Sequence, residues 1–311
     1  MAKIPARFTN EESARKHLEG VRWPEGPVCP HCGTIDRASR IEGGRKGLLF
    51  CNACREQFTV TVGTVFERSK IPLHTWLYAN HLLCSSKKGM SAHQLHRMLG
   101  VTYKTAWFMF HRLRAAMDPM YVKPPNRDLG GPGKILEMDE TYIGKKAGKK
   151  MKHAFHKNTV FSLVERGGEV RSFHVDHASK PLLSKIVSEN VRRETRHYTD
   201  GAAFYQSNAM GLDGGHDWVD HGHGEYMRGT VHTNTIEGFF SIFKRGMKGV
   251  YQHCGEQHLH RYLAEFDFRY NNRIALGIDD AVRADRALAG IEGKRLTYRR
   301  IEEAPNAPPA D

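Results

Sequence analysis

Residues 135–175 read ILEMDETYIGKKAGKKMKHAFHKNTVFSLVERGGEVRSFHV. The quoted stretch contains three short runs rich in apolar and β-branched residues, at 135–143, 159–165 and 170–175. Short runs of this kind, bounded by polar and Gly-containing segments, predict β-strands. A helical run at 180–191 and a fourth strand-like run at 196–198 follow. The pattern predicts an α/β domain in which helices pack on a mixed sheet.

Two aspartates lie where strands of this sheet are expected to end. Asp139 belongs to the first run, and alternation along a strand puts Asp139 and Glu140 on opposite faces. Asp200 follows the fourth run and precedes Gly201, which permits a sharp exit from the strand. A carboxylate at either place is common, so the two aspartates indicate a metal site only if a third element adds another ligand.

That element is a helix predicted from Thr233 onwards. Its core face repeats at helical spacing through Ile236, Phe240, Phe243 and Met247. The adjacent stripe is polar and consists of Asn234, Glu237, Ser241 and Lys244. A carboxylate beside a core is costly unless it meets a cation. Asp139, Asp200 and Glu237 together would offer the oxygen ligands that Mg²⁺ or Mn²⁺ prefers, although the 34 acidic residues of the chain provide other triples as well.

Four of the six cysteines form two C-x-x-C pairs, which are Cys29 with Cys32 and Cys51 with Cys54. The pairs are separated by 18 residues, a spacing typical of a zinc ribbon. Because all four ligand positions are cysteines, we expect a structural Zn²⁺ that stabilises a segment too small to fold alone. Cys84 and Cys254 have no partner at metal spacing.

The spacing of apolar residues in 91–114, on both sides of Gly100, is typical of a helix-turn-helix. Gly100 permits the turn, Thr102 begins the second helix, and Ala106, Phe110 and Leu113 are expected to face inward. The opposite face would then offer Lys104, Arg112 and Arg114 to DNA. An ordinary amphipathic hairpin with a solvated basic face is the alternative interpretation.

The composition favours a nucleic-acid partner. The chain has 311 residues and a net charge of +13, which attracts polyanions such as double-stranded DNA. Residues 144–157 contain six lysines and no acidic residue, and among them Lys145, Lys146, Lys149 and Lys150 are expected to bind the DNA backbone. No stretch is apolar enough to span a membrane and no secretory signal is visible, so a cytoplasmic protein, associated with the nucleoid when bound to DNA, is expected.

Punctuation by Gly and Pro divides the chain into six expected segments. They are a leader helix at 1–20 that ends at Gly20, a zinc ribbon at 21–65, a helix-turn-helix region at 66–121, a linker at 122–134, a catalytic domain at 135–275 and a C-terminal tail at 276–311.

The segments HTNTIEGFFSIFKRGMKGVYQH (232–253), EMDETYIG (137–144) and HYTDG (197–201) carry a resemblance to a known family. In this order, and after the cysteine pairs, they resemble bacterial insertion-sequence transposases of the DDE superfamily, in the subgroup with a zinc ribbon. The resemblance implies an RNase H-like fold whose mixed five-stranded sheet carries the first Asp on its first strand and the second after its fourth. Asp139 and Asp200 match those positions. The third ligand is open between Glu237 and Asn234, and we favour Glu237 because an anion binds a divalent cation better than an amide does.

The resemblance also implies an activity. Lys244 lies where the superfamily places a basic residue near the scissile phosphate, and Arg245 and Lys248 extend that basic surface. The expected protein binds terminal inverted repeats, hydrolyses a phosphodiester with Mg²⁺ or Mn²⁺, and transfers the strand to target DNA as a homodimer or larger assembly. The alternatives are a DNA-binding regulator without catalysis and a metal-dependent nuclease without strand transfer.

Overall fold

The structure is a computed structural model that describes residues 4–118, 128–146, 157–202, 205 and 210–294. The described residues group into two compact units. The first unit is drawn from residues 1–80, 92–116 and 287–311, and the second from residues 81–91 and 117–286. No helix among the described residues is long and apolar enough to cross a bilayer.

The first unit begins with helix α1 (Glu11–Arg22). The side chain of Asn10 accepts a hydrogen bond from Ser13 N–H at 2.9 Å, so Asn10 caps the helix as its sequence position predicts. Gly20, expected to end this helix, instead lies inside it, because the helical backbone continues to Arg22.

A small antiparallel sheet follows, made of β1 (Ala38–Arg40), β2 (Leu49–Cys51) and β3 (Gln57–Phe58). Its core is correspondingly small: Leu49 and Phe58 are buried, and the Phe58 ring meets the Trp23 ring edge-on at 5.8 Å. Strands of two or three residues bury too little apolar area to hold such a module alone. The cysteines that flank these strands therefore matter for its stability.

Three helices come next, α2 (Leu73–Ser85), α3 (Ala92–Leu99) and α4 (Tyr103–Met117). Gly100 turns the chain between α3 and α4 with a positive φ of 66°, and Thr102 Oγ1 accepts from Thr105 N–H at 3.2 Å at the start of α4. The inward positions expected on α4 are all buried, namely Ala106, Phe110 and Leu113. Two helices joined by a turn at Gly100 therefore occupy residues 92–117.

The expectation that Arg112 and Arg114 face DNA is wrong for this structure. Arg112 is 8% exposed and donates hydrogen bonds to the carbonyls of Val65 and Glu67. Arg114 is 2% exposed, with its guanidinium 5.5 Å from the Phe110 ring centroid. Long arginine side chains satisfy their donors inside the unit, which a helical pattern of polar residues does not predict. Lys104 is exposed as expected.

The second unit contains a five-stranded mixed sheet. Its strands are β4 (Ile135–Ile143), β5 (Asn158–Glu165), β6 (Val170–Val175), β7 (Arg196–Asp200) and β8 (His216–Val219), in the order β6-β5-β4-β7-β8. β4, β5 and β6 are antiparallel neighbours, whereas β7 and β8 run parallel to β4. A short hairpin of β9 (Met227–Arg228) and β10 (Val231–His232) follows β8. The mixed five-stranded sheet expected from the sequence and the resemblance is confirmed.

Helices cover both faces of this sheet. On one face Leu136 and Met138 pack with helix α5 (Lys180–Asn190). On the other face Val160 and Val164 pack with helices α6 (Asn234–Gly246) and α7 (Leu259–Asn271). A π-helical turn at Met247–Tyr251 extends α6, where the sequence places Gly246 and Gly249. Even-numbered β4 residues thus face α5 and odd-numbered ones face α6.

Two expected segments differ from the structure. Within the expected linker, Leu129 is buried and bridges to Val191, so residues 128–134 pack on the second unit; residues 122–127 lie outside the described part. Within the expected tail, helix α8 (Asp280–Ala289) forms, and in the first unit the buried Ile291 accepts from Val65 N–H at 3.2 Å. Apolar residues near the end of the chain are thus core residues.

Asp267 on α7 is expected to make stability depend on pH. Burial raises its pKa to about 7, although Ser172 N–H and Oγ–H both donate to its carboxylate at 2.7 Å. A raised carboxyl pKa means that stability falls as pH rises from about 4 to 7, by as much as about 4 kcal/mol. Asp267→Asn should therefore raise the melting temperature more at pH 8 than at pH 5. Thermal unfolding at both pH values measures this, with the exposed Asp213→Asn as control; equal shifts for Asp267→Asn at the two pH values would contradict it.

Candidate active site and metal centre

The two aspartates predicted from sequence lie side by side in the sheet. β4 pairs with β7 in parallel, with Glu137 opposite Tyr198. This is the last registered pair of the two strands, and Asp139 and Asp200 each lie two residues beyond it, near enough for the charge of Asp200 to raise the pKa of Asp139. Alternation along the strands puts both on the face that α6 covers. Asp139 Oδ1 accepts from Glu140 N–H at 2.7 Å, and Asp200 Oδ1 accepts from Ala202 N–H at 3.1 Å. Glu140 points to the opposite face, where its carboxylate accepts from Tyr205 O–H at 2.8 Å.

The amino-terminal end of α6 is fixed beside these strands. Glu137 Oε2 accepts from Ile236 N–H at 2.9 Å, and Glu137 Oε1 accepts from Thr235 Oγ1–H at 2.8 Å. The first turn of α6 carries Glu237, whose side chain is 46% exposed and accepts from Thr233 Oγ1–H at 2.8 Å. Strand β4 thus holds the turn that carries the third predicted carboxylate.

The acidic side chains interact electrostatically. Burial, followed by the charges of Glu140, Asp200 and Glu237, raises the pKa of Asp139 well above its usual range. Burial also raises the pKa of Glu140, and burial with the nearby carboxylates raises the pKa of Tyr142. Of the leading contributions at Asp139, only the Glu140 N–H favours the ionised form. A cation at this place would relieve the repulsion, and this donor set of hard oxygens fits Mg²⁺ or Mn²⁺.

The acidic groups are neighbours without being a compact ligand set. Among the described residues, only the four cysteines bring three or more His, Cys, Asp or Glu ligand atoms within 4.8 Å of one another. Asp139, Asp200 and Glu237 come from two strands and a helix, and they are close enough for Asp200 and Glu237 to raise the pKa of Asp139.

The two candidates for the third position differ in their surroundings. Glu237 contributes to the raised pKa of Asp139 and lies 3.6 Å from His221, measured from Oε1 to Nε2. Asn234 begins α6, is exposed, and donates its backbone N–H to His232 Nδ1 at 3.3 Å. Glu237 is therefore the candidate with an electrostatic link to the aspartates.

Basic residues lie in the last turn of α6 and in the π-helical turn that follows it. Lys244 is half-buried with Nζ 6.0 Å from the Phe240 ring centroid, whereas Arg245 and Lys248 are exposed. Lys248 also lines a cavity of about 300 Å³ together with Lys157 and Tyr142. Of the loop lysines, Lys145 is exposed and Lys146 donates to the Asp176 carbonyl at 2.7 Å; Lys149 and Lys150 lie outside the described residues.

The four cysteines predicted to bind zinc converge in the first unit. Cys29 Sγ lies 3.6 Å from Cys54 Sγ, and Cys32 Sγ lies 3.7 Å from Cys51 Sγ. Tetrahedral coordination with Zn–S distances of about 2.3 Å requires sulfur atoms about 3.8 Å apart, so the cluster fits one Zn²⁺. Hydrogen bonds from Thr34 lower the pKa of Cys32 to about 6. At Cys54 a hydrogen bond from Glu56 lowers the pKa, but burial and the three neighbouring thiols outweigh it and raise the pKa to about 12.

Both cysteine pairs have the same local backbone. Gly33 N–H donates to Cys29 O and Arg55 N–H donates to Cys51 O, each at 2.8 Å. Gly33 and Arg55 have positive φ values of 73° and 62°. A left-handed residue after each C-x-x-C pair turns both thiols to one side, and Gly33 supplies it without steric cost.

Sequence reasoning missed the residues that connect the acidic elements. Glu137 is wholly buried and lies two positions before Asp139, on the same strand face. Arg166, directly after β5, donates its Nε–H to Glu137 Oε1 at 2.6 Å. The alternating pattern of EMDE indicates that Glu137 shares a face with Asp139, but no local pattern identifies Arg166 as its partner.

Comparison with known proteins finds two family matches in this chain. Residues 129–271 match the family described as ISXO2-like transposase domain, and residues 9–57 match the transposase zinc-ribbon domain. A Halobacterium salinarum protein, described as an uncharacterized protein in transposable element ISH50, is 28% identical over 285 residues. This similarity covers 84% of the present chain and 91% of that protein. The two family matches include the acidic and the cysteine clusters respectively.

Proposed function

Since the chain belongs to the ISXO2-like DDE transposases that carry an amino-terminal zinc ribbon, we propose that it binds and cuts the ends of its own insertion sequence and joins them to target DNA. The observation that carries this proposal is that Asp139 and Asp200 lie on neighbouring strands, with Asp200 and Glu237 both close enough to raise the pKa of Asp139.

In the proposed reaction Asp139, Asp200 and Glu237 would hold divalent cations. Two such cations would activate the attacking oxygen and stabilise the leaving oxygen. Water attacks phosphorus at the end of the element, the P–O3′ bond breaks, and the 3′ oxygen leaves as a hydroxyl. This hydroxyl then attacks a phosphorus of the target strand and displaces the target's 3′ oxygen. No bond between protein and DNA forms.

Other residues would bind the DNA. Lys244, Arg245 and Lys248 continue the helix that carries Glu237, so they are suited to phosphates beside the scissile bond. Lys145 and Lys146 follow the strand that carries Asp139 and would add contacts that depend on salt. In the first unit, the exposed Lys104 and the zinc ribbon would recognise the terminal inverted repeats. Two ends have to be joined, so a dimer or larger assembly is proposed.

The proposal is tested by incubating the full chain with a labelled element end, target plasmid and Mg²⁺ or Mn²⁺. The expected products are a nicked end with a free 3′-hydroxyl and a labelled strand joined to the plasmid. Nicking without joining would support a nuclease, and binding without nicking would support a DNA-binding regulator.

The third ligand has its own expected result. Glu237→Gln should reduce cleavage by about 100-fold or more, because even residues that only orient a ligand are worth about 10- to 100-fold. Asn234→Ala should reduce cleavage less than Glu237→Gln, because a neutral amide binds a divalent cation more weakly than a carboxylate does. Single-turnover cleavage rates at saturating DNA measure both. A larger loss in Asn234→Ala would assign the third ligand to the amide instead.

A further inference from the structure

Glu137 is a charged residue that the proposed chemistry does not use. Its side chain is 0% exposed, and its two oxygens accept three hydrogen bonds, from Arg166 Nε–H, Thr235 Oγ1–H and Ile236 N–H. A carboxylate with three donors and no access to solvent is poorly placed to bind a metal or move a proton. Burying a charge is costly unless its partners compensate it, so the contacts themselves need an explanation.

Arg166 connects Glu137 to two further parts of the site. Its Nη1–H donates to Thr230 O at 2.8 Å and its Nη2–H donates to His232 O at 2.8 Å, which fixes the hairpin that leads into α6. Its guanidinium carbon also lies 4.8 Å from the Tyr198 ring centroid. Cation–π contact of this kind holds the ring and the guanidinium together.

These contacts reach each acidic element close to its carboxylate. Glu137 lies two residues before Asp139 on β4, and Tyr198 lies two residues before Asp200 on β7. Ile236, whose N–H Glu137 accepts, lies directly before Glu237 on α6. Glu137 and Tyr198 thus lie on one face of the sheet, and Ile236 lies at the end of the helix that covers this face.

We propose that Glu137 and Arg166 form a positioning pair that sets the spacing of Asp139, Asp200 and Glu237 for divalent cations. The inference rests on the proposed function, because it assigns those three carboxylates as metal ligands. The pair acts only through other residues. The proposal is based on geometry: the Glu137 carboxylate and the planar Arg166 guanidinium each make several contacts, and together these contacts connect β4, β7 and α6.

A purely stabilising role would produce a different result from a positioning role. Positioning predicts weaker metal binding when the pair is altered, whereas stabilisation alone predicts a lower melting temperature with metal binding unchanged. Glu265 provides a matched control, since it is also 0% exposed and accepts hydrogen bonds from Tyr251 O–H and Arg269 Nη1–H. Burial and pairing are alike, but these two hydrogen bonds of Glu265 join it to residues outside β4, β7 and α6, the elements that carry the three acidic residues.

The experiment compares the full-length wild type with Glu137→Gln, Arg166→Lys and Glu265→Gln. Free Mn²⁺ is measured by electron paramagnetic resonance during titration, and melting temperature and DNA affinity are measured alongside. We expect Glu137→Gln and Arg166→Lys to raise the Mn²⁺ dissociation constant about 10-fold or more, with unchanged DNA affinity. Glu265→Gln should leave Mn²⁺ binding within about twofold, whatever its melting temperature. The Arg166 side chain is partly exposed and Arg166→Lys keeps its charge, so this variant is expected to fold. It therefore tests the pair even if Glu137→Gln does not fold.

Mn²⁺ dissociation constants within twofold of wild type in both variants would overturn the positioning role while leaving the proposed function intact. An equal shift in Glu265→Gln would also overturn it, because the effect would then follow from lost stability. Absence of Mn²⁺ binding by the wild type would instead reject the acidic site, and the positioning role with it.

Discussion

Asp139→Asn and Asp200→Asn should each reduce divalent-ion-dependent cleavage by about 1,000-fold or more while leaving DNA binding unchanged. Metal-assisted phosphoryl chemistry gains several kilocalories per mole from charge stabilisation, and about 4 kcal/mol corresponds to that factor. The amide occupies the same space as the carboxylate but binds a divalent cation weakly. Rates are measured in a single-turnover assay on a labelled element end, and affinity by gel shift.

The same substitution at Asp139 should increase stability in metal-free buffer. Burial and three neighbouring carboxylates raise the pKa of Asp139, so its ionisation opposes folding as pH rises. Asp139→Asn removes that ionisation, and its melting temperature near neutral pH should equal or exceed that of the wild type. Glu140→Gln is the matched control, because the Glu140 side chain lies on the other face of β4. This variant should retain most of the cleavage activity. Retained cleavage in Asp139→Asn or Asp200→Asn would reject the acidic site.

Removal of zinc should unfold the ribbon. The Cys51→Ser variant, or a strong chelator added to the wild type, is expected to abolish the structure of residues 21–65, because structural Zn²⁺ contributes about 10 kcal/mol or more in such modules. The strands β1, β2 and β3 have only three, three and two residues, so little else holds them. Zinc content, measured by atomic emission, should fall from one per chain to none.

Limited proteolysis locates the effect of zinc loss. New cleavage sites should fall within the ribbon, while the sheet of the second unit stays protected. Cys254→Ser is the control, because Cys254 lies outside the cysteine cluster and should leave zinc content at one per chain. A protease-resistant ribbon without zinc would contradict the account.

The sequence predicted local elements well where the pattern was strong. The bounds 135–143 and 170–175 agree with β4 and β6, and the inward positions of α4 are buried as expected. Cysteine spacing also predicted a cluster that the structure assembles. In each case the information lies within a short segment, as periodicity or as ligand spacing.

Properties that depend on distant partners were not predictable in this way. Arg112 occupies a polar helical position, yet it is buried because carbonyls near residue 65 lie within reach. Asp139 and Asp200 come near each other only through the pairing of β4 with β7, so the resemblance to a known family was needed to join them. The partners of Glu137 are Arg166, after β5, and Thr235 and Ile236, on α6. Because they lie far from Glu137 in the sequence, the residues around Glu137 gave no indication of these contacts.

Anomalous diffraction from crystals of the chain grown with an element end and Mn²⁺ addresses the acidic site without relying on turnover. We predict Mn²⁺ peaks beside the scissile phosphate, within coordination distance of the carboxylates of Asp139, Asp200 and Glu237. Mn²⁺ coordinated elsewhere on the chain, with Asp139 and Asp200 free of metal in the DNA complex, would contradict this prediction.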